Sequence, residues 1–178
     1  DAAQAMLAFL FAHALYKGAL FMVAGSVDHE AGTRNVEQLG GLAKAMPFTA
    51  AGAGIAGLSF AGLPLLAGFS AKELSMKALL VGFESQPWAL LAVAIAAAAG
   101  VTAAILVAWK VFAGAKPQEL HAHEAPWAMR LGPLALGIGS LGFGLIPGAW
   151  QIVSAAVASV AEGKAKTAFS VFYGIGPA

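Results

Sequence analysis

From residue 2 to residue 27 the chain is apolar almost without interruption, bounded by Asp1 and Asp28, with His13 and Lys17 its only ionisable side chains. A helix of that length rises about 39 Å, enough to cross a hydrocarbon core of about 30 Å. The pattern therefore predicts a membrane span over about residues 3–27. A second apolar tract opens at Pro47, a residue suited to the first turn of a helix, and runs to residue 81 with a break near 62–68. As one straight helix, 47–81 would measure about 52 Å, too long for the bilayer. Pro64 lacks a backbone donor and crowds the preceding turn, so a discontinuous helix is expected there. Irregular backbone at that depth is tolerated only where protein or water surrounds it. An ordinary span over 47–69, with Lys72 as an interfacial anchor, fits the same residues, and the pattern alone leaves the two readings open. A third span is predicted over 88–112, with Trp88 and Trp109 near the expected interfaces, and a fourth over 131–146, glycine-rich and closed by Pro147-Gly148. Over 149–161, Trp150, Val153, Val157 and Val160 recur at helical spacing opposite Gln151, Ser154 and Ser159, which predicts an amphipathic helix. No strand alternation is visible. The expected fold is all-α: a polytopic transmembrane helix bundle that includes a broken helix, one fragment of a membrane domain over 1–178.

Composition agrees. Sixty per cent of residues are hydrophobic, 11% are charged and mean hydropathy is +0.79, against roughly 25% charged residues in soluble domains. A net charge of +1 argues against a nucleic-acid partner, and zero cysteines exclude disulfides and thiolate metal sites. The chain opens on Asp1 without a basic leader and closes on Gly-Ile-Gly-Pro-Ala, so an internal piece of a longer polytopic protein is expected. If four spans cross, the 28–46 and 110–130 loops share one side. Their basic residues (Arg34, Lys44, Lys110, Lys116 and Arg130) place that side in the cytoplasm by positive-inside counting.

Lys17 then changes the picture. Centred in the bilayer, it falls roughly 4 Å from the midplane, where a charge costs at least ~2.5–3.5 kcal/mol on insertion scales. A lysine kept at that depth suggests an ion or proton pathway. An ammonium in low dielectric gives up its proton more readily than one in water, and an imidazole titrates near neutrality. His13 and Lys17, four residues apart, lie on one helical face. The blander readings are that Lys17 pairs with a carboxylate on another helix, and that His13 is interhelical polar glue. Gly52, Gly54, Gly57 and Gly62 are expected to allow close helix packing. His121-Ala122-His123-Glu124 carries metal-compatible side chains, but its spacing favours a solvated loop. Asp28-His29-Glu30 suits capping and salt-bridging, with Arg34 pairing one of the acids. No metal or other cofactor is predicted. Without a nucleophile–base pair in the spans, hydrolytic chemistry is not expected.

Four pieces carry a family resemblance: HALYKGALFMVAG (13–25), DHEAGTR (28–34), LGGLAKAMPFT (39–49) and LSFAGLPLLAGFSAKE (58–73). In this order they resemble the proton-conducting antiporter-like subunits. These comprise the large Mrp-type subunit of multi-subunit Na⁺/H⁺ antiporters and its relatives in respiratory complex I and membrane-bound hydrogenases. The HALYK and DHE-GTR wording is closer to the Mrp branch. The resemblance implies that Lys17 is a central membrane lysine of the proton path and that His13 lines it. It also implies that Lys72 is the terminal lysine on a broken helix near the path's exit, with Glu73 as a possible auxiliary. Complex I relatives often carry a second histidine where Phe9 stands here, which puts a two-histidine relay in doubt. Ser70-Ala71-Lys72 places alanine where serine is frequent. The family's glutamate–lysine pair on earlier helices has no counterpart in these residues. The implied function is proton translocation within a Na⁺(cation)/H⁺ antiporter subunit of the cell (inner) membrane. Its expected partners are the other subunits of a hetero-oligomeric complex, the lipid bilayer, protons and Na⁺ or another monovalent cation. The alternatives are a proton-pumping subunit of NADH-quinone oxidoreductase or a hydrogenase, and a membrane scaffold with a structural lysine.

Overall fold

The computed structural model describes residues 2–82, 87–115, 121–146 and 148–160. Those residues form helices and connecting segments, with no strand among them. In chain order they are α1 (Ala2–Ala31), α2 (Pro47–Ala61), α3 (Ala67–Gly82), α4 (Pro87–Ala104), α5 (Trp127–Leu145) and α6 (Ala149–Val160). A 3₁₀ turn occupies Leu42–Lys44, and α4 runs on as a π-helical stretch over Ile105–Lys110. Among the described residues three segments are long and apolar enough to cross a membrane: Ala5–Ala31, Trp88–Lys110 and Trp127–Leu145. Lys116, Pro147 and Ala161, and the side chains of Val157, Ser159 and Val160, lie outside the described residues.

The long helix α1 is largely apolar on all sides, and α2, α3 and α5 pack on it, whereas α4 packs on α2 and α3. Its buried positions Ala5, Ala8, Ala12, Tyr16, Ala19, Val23 and Val27 follow a three-then-four spacing that draws one stripe down a helix. The small residues in that stripe let neighbouring helices come close. A matching stripe on α5, Pro133, Gly137, Ser140 and Gly144, is buried in turn. On α2, Gly52 lies against Pro133 and Gly57 against Ala108, so two of the four glycines expected in packing are used that way. An added methyl at Gly54 meets nothing within 4 Å, and its expected packing role is corrected: that position faces open space.

Helix α2 closes at Gly62, which takes a left-handed φ of 88°. Gly62 N–H donates to the Ser59 carbonyl and Leu63 N–H to that of Leu58, the Schellman closure that glycine favours because it has no Cβ to clash. Residues 62–66 are not helical, and Leu65 adopts φ 76°, a region side-chain-bearing residues rarely occupy. The segment is clamped from both sides. A methyl on Gly144 would overlap the Leu65 carbonyl, and one on Gly68 would overlap the Ser59 carbonyl.

Three boundaries differ from expectation, and one of them is the start of α5, at Trp127 rather than 131. Helix α1 continues past residue 27 to Ala31, carrying Asp28, His29 and Glu30 as its last turn. The third apolar segment leaves its helix at Val111, because the backbone there turns to meet another segment. The carbonyls of Val111, Phe112 and Ala113 accept from Leu42, Ala43 and Gly41.

Candidate functional site

The three side chains singled out from sequence meet around one cavity. His13 and Lys17 come from α1 and Lys72 from α3, and all three line a space of about 620 Å³ together with Tyr16, Phe60 and Ser75. Its remaining wall is apolar, including Met6, Phe9 and the alanines of α4. His13 and Lys17 reach it from one face because they are one helical turn apart. Lys72 reaches it because α3 restarts immediately after the clamped turn and aims its second helical turn back at α2.

The contacts inside are specific. His13 Nδ1 and the Tyr16 hydroxyl are 3.0 Å apart. Tyr16 in turn stacks on Phe60, with ring centroids 5.0 Å apart and planes 19° from parallel. Lys17 Nζ stands over the Phe60 ring, 4.5 Å from its centroid. Lys72 Nζ donates to the Phe60 carbonyl at 2.5 Å. Among the described residues no carboxylate lies within ion-pair distance of Lys17 or Lys72. Glu73 turns away from the cavity and pairs with Lys77 at 2.7 Å, one turn along α3. Phe9 lines the cavity with its ring centroid 5.9 Å from that of His13.

The donor set is two amines, one imidazole and a phenol, groups that take up or release a proton without covalent change. No cluster of three or more metal-ligating side chains is found among the described residues.

Away from the cavity, the polar motifs are structural. Arg34 pairs with Asp28 at 2.8 Å, as expected for that loop. The expectation that His121–Glu124 is a solvated loop holds for the exposed His121 and His123 and is corrected for Glu124. Glu30, whose side chain is only 2% exposed, accepts from His29 at 2.8 Å and lies 2.7 Å from His123 Nδ1. Glu124 reaches back to α2, accepting from Phe48 N–H at 2.7 Å and the Thr49 hydroxyl at 2.6 Å. It thereby satisfies a donor that the start of a helix leaves without a partner. Arg130 donates to the Ala125 carbonyl beside it. Glu124 looks solvated in sequence because its partners lie far along the chain.

The hydrophobic pattern does not single out Tyr16 or Phe60. Tyr16 carries a signal all the same, since it sits three residues from His13 on the same face. Phe60 carries a fainter one: it lies four residues before Pro64, so its carbonyl has no helical donor.

Residues 1–106 match the transmembrane family described as NADH:quinone oxidoreductase/Mrp antiporter. The chain is 37% identical over 172 residues to a Na⁺/H⁺ antiporter subunit of Alkalihalophilus pseudofirmus, covering 89% of this chain and 21% of that protein. It is 36% identical over 181 residues to a probable K⁺/H⁺ antiporter subunit of Rhizobium meliloti, covering 97% and 18%. In three dimensions it is similar to a chain of the Mrp complex from Dietzia sp. DQ12-45-1b. That match has a TM-score of 0.69 and 31% identity, covering 98% of this chain and 19% of the other. The chain thus spans about a fifth of the length of the curated relatives it matches.

Proposed function

This chain belongs to the NADH:quinone oxidoreductase/Mrp antiporter transmembrane family, and on that footing we propose that it forms part of the proton path of a monovalent-cation/proton antiporter subunit. The observation that carries the reading is the shared cavity: His13, Lys17 and Lys72 come from two helices and face one space. In this reading the chain is a transporter component, not an enzyme, in a multi-pass protein of the cell membrane assembled with other antiporter subunits.

The mechanism follows from the groups present. Lys17 is a reversible proton carrier, His13 its adjacent relay through the Tyr16 hydroxyl, and Lys72 a second carrier reached through water in the cavity. Two like charges in a poorly polarisable space repel, so a proton on one lysine disfavours a proton on the other and is driven onward. Helices α2 and α3 act as halves of one crossing, joined by the non-helical segment 62–66, of which Leu66 is buried while Leu63 and Leu65 are exposed. Broken helices of this kind build ion sites in transporters. Na⁺ is the first candidate for the exchanged ion, and the name of the Rhizobium relative makes K⁺ the second. A redox-driven proton pump is the alternative that the family description includes, and these residues would relay protons there in the same way. The scaffold alternative needs an acid for Lys17 to lock onto, and among the described residues none is near.

The test uses the full-length subunit with its neighbouring subunits in an antiporter-deficient bacterium. Inverted vesicles energised to an acid interior are followed with a pH-sensitive dye as Na⁺ or K⁺ is added. Cation-triggered alkalinisation in wild type, lost in Lys17→Ala at matched assembly, is the expected result. An assembled wild type that ignores both cations moves the reading to the redox-driven pump. A response that survives Lys17→Ala makes that lysine structural.

A further inference from the structure

Phe60 is an apolar residue in an apolar helix, yet both candidate lysines end on it. Lys17 Nζ stands 4.5 Å from its ring centroid, within the reach at which an aromatic face attracts an ammonium. Tyr16 stacks on the same ring and holds its plane. The Phe60 carbonyl is available for a different reason. The closure of α2 uses the carbonyls of Leu58 and Ser59. The donor that a continuing helix would bring to Phe60 is the nitrogen of residue 64, and Pro64 carries no N–H. Lys72 Nζ takes that donor's place at 2.5 Å while staying 5.9 Å from the ring centroid. A helix C-terminus favours a cation on its last carbonyls. Gly62 keeps the way open: a methyl there would stand 3.1 Å from Lys72 Cδ and 3.3 Å from its Nζ.

We propose that Phe60 is a positioning residue for proton transfer between the two lysines, its ring seating the Lys17 ammonium and its carbonyl seating that of Lys72. The inference rests on the proton-path reading above. Each seat binds its lysine when charged and loosens when it is neutral. When Lys17 gives a proton to cavity water, an N–H bond breaks, an O–H bond forms, and the resulting amine no longer feels the ring's attraction. A proton passed from water to a Lys72 amine regenerates the ammonium, which the carbonyl holds as an acceptor. One residue thus fixes the separation of two carriers and releases each after it discharges.

The experiment again uses the assembled full-length complex in inverted vesicles, with maximal exchange rate and half-saturating cation concentration measured separately. Phe60→Leu, which removes the ring's charge distribution at similar bulk, is expected to lower the maximal rate about two- to thirtyfold. The half-saturating concentration should stay unchanged, and Phe60→Tyr should retain the wild-type rate. Gly62→Ala, which crowds the Lys72 stem and also strains the left-handed turn while leaving the ring, is compared at matched assembly and is expected to lower the rate as well. A wild-type rate in Phe60→Leu, or equal impairment in Phe60→Leu and Phe60→Tyr, reduces Phe60 to a packing residue. A wild-type rate in Gly62→Ala removes the carbonyl seat. Lys17→Ala in the same vesicles separates the two levels: if it exchanges normally the proton-path reading fails. If it is inactive while Phe60→Leu is normal, only this inference does.

Discussion

Ser59 of α2 and Ser140 of α5 share a buried hydrogen bond of 2.7 Å, and the same Ser59 oxygen accepts from Gly68 N–H of α3 at 3.2 Å. Three helices meet at that one hydroxyl. Removing it strands two groups, whereas removing the Ser140 hydroxyl strands at most one. Ser59→Ala is therefore expected to cost about 1–3 kcal/mol and Ser140→Ala about 1 kcal/mol. Thermal unfolding of the purified complex in detergent reads the difference. Equal midpoints for the two variants would show that Ser59 does not join the three helices.

Gly68 and Gly144 have no room for a side chain. Because an added methyl would collide with the backbone of Ser59 or Leu65, Gly68→Ala and Gly144→Ala are expected to prevent assembly. Gly54→Ala, at an open position, should assemble as wild type does. Immunodetection of the complex in membranes compares the three. Normal levels of the Gly144 variant would mean that the 62–66 segment yields easily.

Lys72 separates two readings of its helix. As a carrier, its replacement in Lys72→Ala should lower cation-driven exchange at least about tenfold, roughly 1.4 kcal/mol in barrier terms, with assembly intact. As an interfacial anchor, the same change should leave the exchange rate near wild type. Vesicle assays at matched complex levels decide.

Glu124 caps α2 from across the fold. Glu124→Ala withdraws the acceptor of Phe48 N–H and of the Thr49 hydroxyl, a loss expected to cost about 0.5–2 kcal/mol. Glu124→Gln keeps one acceptor oxygen and should recover part of it. A melt that does not move for Glu124→Ala would mean that water replaces the carboxylate without loss.

The helices are legible in the sequence because apolar runs and their proline and glycine stops are local signals. The cavity lysines stand out for a related reason: a charge in an apolar run is conspicuous wherever it ends up. What the sequence does not carry is who faces whom. Phe60 reads as one more membrane phenylalanine until α1 and α3 are placed around it. Glu124 passes for a loop acid because Thr49 is distant in the chain. The ends of α1 and of the third apolar segment move for the same cause, since long-range hydrogen bonds, such as that from Gly41 to Ala113, set where a helix stops.

The two glycines that clamp the turn after α2 also bear on how such a path can work. With Gly144 fitted over Leu65 and Gly68 over Ser59, the corner is tightly packed against backbone, which opposes sliding of the halves on either side of it. On the proposed reading, opening and closing fall to what is left free: lysine arms swinging on carbon stems, and water entering or leaving around an aromatic ring. The fold supplies a stator, and its moving parts weigh no more than a side chain.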